Sequence, residues 1–298
     1  MKLFYGPDYV SSDHDFDTTR KAGWIADSLR LRPIPGAAVT TPEPLTDAQL
    51  LLAHTPDYVA AVRTGSPGAL AESQGFEWNP HAWTSAVASN GGVLAAARAA
   101  LTDGVSGSLS SGLHHAKSGR GEGFCTFNGL VVAAKTLLTE GAVSSVLIVD
   151  LDAHCGGGTA QMIADEPRIV QVDVSVDPYD SYDSTPNSTL REVFSAGDYL
   201  PAVRAALPAG ASFDLCLYNA GMDPHERCAI GGLDGVDADL LGRRDRLIFE
   251  WCRARGIPVA FVLAGGYTGS RLDQNELVNL HRMTISEAAR STARQSVA

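Results

Sequence analysis

The stretch VLIVDLDAHCGGG, residues 146–158, decides the fold of this chain. Its first four residues are aliphatic and mostly β-branched, which is typical of a buried strand in a parallel sheet. If the chain stays extended past Val149, the period of two sends Asp150, Asp152 and His154 to the same side. Two carboxylates and an imidazole would then meet at the C-terminal end of a strand, where open α/β sheets bind their ligands.

Further strands with polar residues after them surround this one. Hydrophobic runs predict strands at residues 2–5, 168–176, 215–218 and 258–263. Helical patterns at 18–29, 82–101, 130–138 and 237–255, and a helix start at Thr46, alternate with the strands. This alternation predicts an α/β protein with a parallel β-sheet flanked by helices and its site at the C-terminal ends of the strands. Segments 65–80 and 177–189 lack periodicity, and we interpret them as surface loops.

Composition limits the possible functions. The chain has 298 residues, 45% of them hydrophobic, and no evident linker, so we expect a single catalytic domain over 1–298. We find no signal peptide and no apolar run that could span a bilayer, so we expect a soluble cytoplasmic protein with no membrane partner. The net charge of −11 argues against direct nucleic-acid binding, which needs clustered Lys and Arg. Five cysteines without a Cys-x-x-Cys pair predict reduced thiols, mostly buried.

Three residues form a candidate metal site. Asp152, His154 and Asp223 would leave coordination positions open, as a catalytic divalent metal requires. Two carboxylates with one imidazole favour Zn²⁺, with Fe²⁺ as the alternative. Such a metal polarises carbonyl groups and acidifies water.

Three further side chains suit proton transfer and charge stabilisation. His114 and His115 are adjacent, so in a loop they can approach one reacting centre from two sides. Tyr267 follows two glycines and could donate a hydrogen bond to a developing oxyanion. Taken singly, the histidine pair is also typical of a surface turn, and the tyrosine of a core residue. His14, in the loop after the first strand, could line a site, but we interpret it as a surface residue.

The motifs together resemble the histone deacetylase family in order and approximate spacing. They are His114-His115-Ala116, Gly123-Phe124-Cys125, Asp150-x-Asp152-x-His154, Gly221-x-Asp223 and Gly265-Gly266-Tyr267. The resemblance extends from about Tyr5 to Arg290, and the residues in and around these motifs are most similar to the class IV branch and its bacterial relatives. It implies an arginase/deacetylase-like α/β fold and zinc-dependent hydrolysis of N-acyl amides such as acetyl-lysine.

The same resemblance implies roles for individual residues. It makes Asp152, His154 and Asp223 the zinc ligands and Tyr267 the residue that polarises the acyl oxygen. The two adjacent histidines become the family's histidine pair, with Asp150 behind the first of them.

Substrate and potassium contacts follow from the resemblance as well. It makes Phe124 a tunnel wall and the Gly123 carbonyl a substrate contact. Asp150 and Ser175, together with backbone carbonyls, would match the family's structural K⁺ site.

Three positions depart from the family pattern. Gly157 stands where Asp or Asn usually lies behind the second histidine, Cys155 where His or Gln is usual, and Gly112-Leu113 where Pro-Gly is usual. The usual partner of His115 would then be missing, unless Cys155, a neighbouring loop or a water replaces it. We therefore expect His114 to carry positive charge more readily. His115 would be neutral near pH 7 and would act as the base.

Two other functions compete with a deacylase. A ureohydrolase on the same fold would need a further Asp two residues after the histidine ligand, where this chain has Gly156. The altered residues at 155 and 157 suggest a catalytically weak acyl-group binder as a third possibility. Within the deacylase hypothesis, the substrate can be an acyl-lysine, an acetylpolyamine or another N-acylated amine, and the acyl length and the oligomeric state stay open.

Overall fold

The computed structural model describes residues 1–12 and 14–293, and one parallel sheet lies at its centre. The strands are β1 (Lys2–Phe4), β2 (Ala38–Thr40), β3 (Val105–Ser108), β4 (Val146–Asp150), β5 (Ile169–Ser175), β6 (Ser188–Glu192), β7 (Leu215–Gly221) and β8 (Val259–Ala264). They lie in the order β2-β1-β3-β8-β7-β4-β5-β6, and every neighbouring pair is parallel. The predicted parallel α/β sheet is therefore correct.

Helices cover both faces of the sheet. They are α1 (Asp17–Leu31), α2 (Asp47–Leu50), α3 (Pro56–Thr64), α4 (Gly68–Ala71), α5 (Pro80–Asp103), α6 (Gly129–Thr139), α7 (Gly157–Ile163), α8 (Ala196–Ala206), α9 (Ala238–Ala254) and α10 (Gln274–Ala293). The core on one face joins the sheet to α1, α8, α9 and α10, and the core on the other face joins it to α3, α5, α6 and α7.

Strand β4 shows why the opening stretch decides this architecture. Val146 and Ile148 belong to one core, whereas Leu147 and Val149 belong to the other. All four side chains are fully buried. Burial of each contributes roughly 1.5–3 kcal/mol, so a strand that is apolar on both sides is stable only between two layers of helices.

Helix ends follow the predicted signals. Thr46 caps α2 by accepting a hydrogen bond from the backbone N–H of Gln49, whose side chain accepts one from the backbone N–H of Thr46. This reciprocal pair is a capping box. At the other end of the predicted helix 82–101, Gly104 adopts a φ of 78° and ends α5.

Three strands escaped the sequence-based prediction. The outer strands β2 and β6 are mostly exposed, so neither presents a hydrophobic run. Strand β3 reads VSGS and contains a single aliphatic residue, although it is completely buried. The loop predicted for 65–80 contains the short helix α4, and the loop predicted for 177–189 ends in β6. Small and polar residues leave no periodic pattern in such elements.

The cysteines and helices agree with two expectations from composition. All five cysteines are free and buried, as predicted. In the part of the chain that the structure describes, no helix combines the length and apolar character needed to cross a membrane.

Candidate active site

The parallel register brings three strand ends to one edge of the sheet. Strand β4 pairs with β7, so that Asp150 lies opposite Asn219, and β7 pairs with β8, so that Gly221 lies opposite Ala264. The segments after these strands carry the predicted metal ligands and Tyr267. Residues that are distant in the chain therefore reach the same point because their strands end together.

The predicted metal ligands lie together. Asp152, His154 and Asp223 are all buried, and one ligand atom from each lies within 4.8 Å of the others. The Nδ1 atom of His154 lies 3.0 Å from Oδ1 of Asp152 and 3.3 Å from Oδ2 of Asp223. Two carboxylates facing one imidazole nitrogen are a donor set that fits a divalent metal with open positions.

Backbone contacts fix the orientation of these ligands. The N–H of Ala153 donates to Oδ1 of Asp223 at 3.0 Å, and the N–H of His154 donates to Oδ1 of Asp152 at 3.1 Å. Gly265 has a φ of 49°, and a Cβ there would overlap the Asp223 carboxyl group. A glycine is required at this position because only its backbone can pass so close to the carboxylate.

A buried arginine supports the same edge from below. Arg244 is fully buried, and its Nη1 donates to the carbonyl of Gly221 at 2.6 Å and to that of Leu151 at 3.3 Å. Its charge is balanced by Asp245 at 2.8 Å. This side chain joins the end of β7 to the segment after β4, and no sequence pattern indicated it.

The electrostatics of the three candidate metal ligands favour a positive charge among them, either a proton on His154 or a bound cation. Burial lowers the pKa of His154, but hydrogen bonds to Asp152 and Asp223 outweigh burial and raise that pKa to about 11. Burial and the charge of Asp152 raise the pKa of Asp223 to about 6. Asp152 itself has a lowered pKa, because the charges and hydrogen bonds of His114 and His154 outweigh its burial. A cation placed here would meet carboxylates that the protein has already desolvated.

The first histidine of the pair has the predicted partner. Nδ1 of His114 lies 2.8 Å from Oδ2 of Asp150, whose other oxygen accepts a hydrogen bond from Asn219 at 2.7 Å. Burial lowers the pKa of His114, but the charges of Asp150 and Asp152 outweigh burial and raise it to about 10. The interpretation of His114 as the more readily charged histidine agrees with this direction.

The second histidine has a partner that the sequence did not suggest. Nδ1 of His115 lies 3.1 Å from Oδ2 of Asp180, so the prediction of a missing carboxylate is wrong. The pKa of His115 is still lowered to about 4, because burial and the charge of His114 outweigh the effect of Asp180. The two imidazole centroids are 4.0 Å apart, which explains why one charge opposes the other.

A cavity of about 550 Å³ opens above these side chains. Its lining contains five residues predicted for the site and several that were missed. They are Ser73, Gln74, Gly75, His115, Glu122, Gly123, Phe124, His154, Asp177, Tyr179, Ile230 and Tyr267. Burial and the charges of Asp223 and Asp152 raise the pKa of Tyr267 well above its ordinary value, so its phenol keeps its proton and can donate.

Aromatic rings form one wall of the cavity. Phe16 lies 4.4 Å from Phe124 and 5.4 Å from Tyr267, measured between ring centroids. Phe124 has a φ of 64°, and its N–H donates to the carbonyl of Gln74 at 2.9 Å. His14 is half-buried: its ring is stacked on Phe76 and lines a smaller cavity that Phe124 also lines.

A second polar cluster lies beneath Asp150. The hydroxyl of Ser175 donates to Oδ1 of Asp173 at 2.7 Å, and the N–H of Gly156 donates to its Oδ2 at 2.7 Å. Burial and the charge of Asp150 raise the pKa of Asp173 to about 8. The sequence prediction named Asp150 and Ser175 but missed Asp173, which reads as an ordinary residue of β5.

The other two departures also lie at the site. Cys155 is buried, and its N–H donates to the carbonyl of Tyr179 at 3.0 Å, which ties it to the cavity rim. Leu113 has a φ of 58° and lines the smaller cavity with Phe124.

Fold and site together define the class of this protein. A parallel sheet with a polar centre at its carboxyl edge and a cavity above it is typical of an α/β enzyme. The histone deacetylase domain matches residues 15–281. The chain belongs to the histone deacetylase family, and the predicted deacetylase-type enzyme is confirmed at that level.

Similar proteins agree with this assignment. An uncharacterized protein of Picosynechococcus sp. is 32% identical over 278 residues, which cover 89% of this chain and 91% of that protein. Histone deacetylase 2 of Arabidopsis thaliana is 30% identical over 206 residues, 65% of this chain and 53% of that protein. The crystal structure of acetylpolyamine aminohydrolase from Burkholderia pseudomallei covers 96% of this chain and 98% of its own, with a TM-score of 0.78 and 19% identity. The arginase/deacetylase-like fold is thereby confirmed.

Proposed function

We propose that this enzyme uses Zn²⁺, or Fe²⁺, to remove an acyl group from an N-acylated amine such as acyl-lysine or acetylpolyamine. The observation that carries the proposal is the buried cluster of Asp152, His154 and Asp223 at the cavity that Tyr267 lines. A divalent cation held by these side chains would polarise the acyl carbonyl and acidify water. The acetyl group is the expected acyl group, and a cytoplasmic location remains part of the proposal.

The two histidines have different roles: His115 transfers protons, and His114 supplies charge. His115 stays neutral, and because Nδ1 faces Asp180, its Nε2 is the nitrogen free to take a proton from the attacking water. The same nitrogen then gives that proton to the leaving amine. His114 is held protonated beside Asp150 and supplies fixed positive charge to the reacting centre.

Tyr267 and the cavity wall act on the substrate itself. The Tyr267 phenol donates a hydrogen bond to the acyl oxygen as that oxygen gains negative charge. Phe124 and Tyr179 line the cavity and would pack against the aliphatic part of the amine, while the Gly123 carbonyl is assigned to the substrate's amide N–H. These apolar contacts suit the methylene chain of lysine or of a polyamine.

The polar cluster at Asp150, Asp173 and Ser175 is proposed to hold the structural K⁺. Asp150 and Asp173 are both buried and repel each other, and two desolvated carboxylates side by side favour a bound cation. The pKa of Asp173, raised to about 8, agrees with such a site. This cation would offset the repulsion between the carboxylates of Asp150 and Asp173. A fixed Asp150 carboxylate would in turn hold the ring of His114 in place.

The packing around Gly156 speaks against a ureohydrolase. A Cβ there would lie 2.6 Å from Oδ2 of Asp150 and 2.6 Å from Nε2 of Gln171. The position therefore offers no room for the further carboxylate that a second metal would need. The polar centre around His115 and Tyr267 likewise speaks against an acyl-group binder that only retains its ligand.

A substrate screen tests the proposal. Protein loaded with Zn²⁺ or Fe²⁺ is incubated with acetyl-lysine peptides, longer acyl-lysine peptides and acetylpolyamines, and the released amine is measured. We expect hydrolysis of at least one substrate class, and loss of that activity in Asp223→Ala. Urea release from guanidino substrates, or no release from any acylated amine with either metal, would contradict the proposal.

A further inference from the structure

We propose that Asp180 is the positioning residue of His115, and that Gly157 is a glycine in order to leave room for it. This inference rests on the proposed function, because it concerns the histidine to which the proton transfer is assigned. The carboxylate comes from the loop between β5 and β6, far along the chain from the histidine pair. None of the sequence motifs contains it.

Hydrogen bonds hold the Asp180 carboxylate against the ring. Its Oδ2 lies 3.1 Å from Nδ1 of His115 and accepts the N–H of Gly158 at 3.0 Å. The side chain is only 7% exposed. With the backbone N–H of Gly158 as an anchor, the carboxylate keeps the proton of His115 on Nδ1 and directs Nε2 into the cavity.

Steric contacts show that this carboxylate and a side chain at position 157 exclude each other. A Cβ on Gly157 would lie 2.6 Å from Oδ1 of Asp180, 2.8 Å from its Cγ and nearer still to its carbonyl oxygen. Because the backbone oxygen cannot rotate away, any residue other than glycine would displace the loop. A carboxylate attached at 157 would grow into the space that the Asp180 carboxylate fills, so the space beside His115 accepts one of them.

The backbone of the loop is bent to deliver this side chain. Asp180 has a φ of 59°, a conformation that non-glycine residues adopt at a cost, and such strain is found mostly at functional sites. The residue before it, Tyr179, places its ring 5.0 Å from the His115 ring at an angle of 90°. The bend at Asp180 therefore places Tyr179 in the cavity wall and the Asp180 carboxylate beside His115, the proposed base.

A purely structural ion pair does not account for Asp180. Its Oδ1 lies 3.3 Å from Nζ of Lys117, but Lys117 already meets Glu122 at 2.8 Å. The lysine would thus keep a carboxylate partner without Asp180, whereas His115 would lose the only carboxylate recorded within bonding distance of it among the described residues.

The test moves the carboxylate from one chain position to the other. The variants are Asp180→Gly, Gly157→Asp, the double variant and, as a control, Asp183→Gly, an exposed acidic residue of the same loop. Asp180→Gly should lower kcat about 10–100-fold, by analogy with the carboxylates that orient metal-bound histidines, with little change in KM. Gly157→Asp alone should lose activity because both groups compete for one space. Glycine at position 180 frees the loop backbone to move its carbonyl oxygen away from the new Cβ at position 157, so the double variant should recover activity over Asp180→Gly. The control should match the parent.

A measurement without turnover separates this inference from the proposed function. In ¹⁵N-histidine spectra at pH 7.5, His115 of the parent and of the double variant should be the Nδ1–H tautomer, and Asp180→Gly should lose that preference. Melting temperature and metal content are compared for all variants. Unchanged kcat in Asp180→Gly, or a tautomer that Asp180→Gly leaves intact, would overturn the inference. A parent that hydrolyses none of the acylated amines would instead refute the proposed function.

Discussion

The backbone N–H of Asn128 donates a hydrogen bond of 3.0 Å to Nε2 of the buried His54. On the other side of the ring, Nδ1 lies 3.1 Å from the carbonyl of Lys117, so Nδ1 carries the proton and the ring is neutral. Asn128 in turn donates through its side chain to the carbonyl of His114 at 3.2 Å. His54 thus supports the loop that carries the histidine pair.

The first prediction concerns the acid stability that follows from this contact. Burial lowers the pKa of His54 from 6.5 to about 4, outweighing its backbone hydrogen bonds. The unfolded chain therefore binds the proton more readily, so the stabilisation is present above pH 6.5 and is lost as the pH falls to about 4. The loss amounts to roughly 3 kcal/mol.

Urea unfolding at pH 7.5 and pH 4.5 measures this effect. We expect His54→Gln to be less stable than the parent at pH 7.5, and its stability to fall by less between the two pH values. His81→Gln, at an exposed histidine, is the matched control and should follow the parent. Equal losses in the parent and in His54→Gln would contradict the prediction.

The second prediction concerns metal content. We expect about one Zn²⁺ or Fe²⁺ per chain, because residues 1–12 and 14–293 contain one ligand set of two carboxylates and an imidazole. Elemental analysis of Asp223→Ala should find most of this metal missing, whereas Tyr267→Phe should retain it. Full occupancy in Asp223→Ala would show that the ligand assignment is wrong.

The third prediction concerns Tyr267. Loss of one oxyanion donor costs about 2.7–4 kcal/mol of transition-state stabilisation, so Tyr267→Phe should lower kcat roughly 10²–10³-fold. Substrate binding should persist, because the ring still completes the aromatic wall with Phe16. Steady-state kinetics, with calorimetric titration of a substrate into the slow variant, separate the two effects. Turnover equal to that of the parent would assign Tyr267 to packing alone.

Local sequence patterns predicted the centre of the molecule but not its supports. Asp152 and His154 were predictable because they follow a fully apolar strand at the period of an extended chain. Asp180 was not, because its role depends on a loop that folds back on Gly157 and on a positive φ. The one indication in the sequence was Gly157, a glycine at the position where the family usually has Asp or Asn.

The edge strands of the sheet and the buried charges could not be predicted from the sequence for a related reason. Strands β2 and β6 are held by pairing with a neighbour, and their exposed side chains carry no pattern. Arg244 lies on the helix α9 as one charge among several, and only the tertiary structure buries it against Gly221. Contacts between residues distant in sequence are therefore the part that periodicity does not reach.

The last prediction concerns close packing at Gly91, the first of two adjacent glycines inside α5. A Cβ on Gly91 would lie 2.9 Å from Cα of Pro44 and nearer to the carbonyl oxygen of Glu43, both of them backbone atoms that cannot turn aside. Overpacking of this kind costs about 1–3 kcal/mol. Replacing glycine by alanine inside a helix gains about 1 kcal/mol in helix propensity, which offsets only part of this cost. We expect Gly91→Ala to lower the free energy of unfolding by up to about 2 kcal/mol.

Gly68→Ala provides the matched control for this variant, since no heavy atom lies within 4 Å of the Cβ it would add in α4. That variant should be as stable as the parent or more stable by about 0.4–1 kcal/mol, through its effect on the unfolded chain. Denaturant unfolding of both variants gives the comparison. If Gly91→Ala proved as stable as Gly68→Ala, α5 could move away from the connection that precedes α2, and the glycine would reflect something other than close packing.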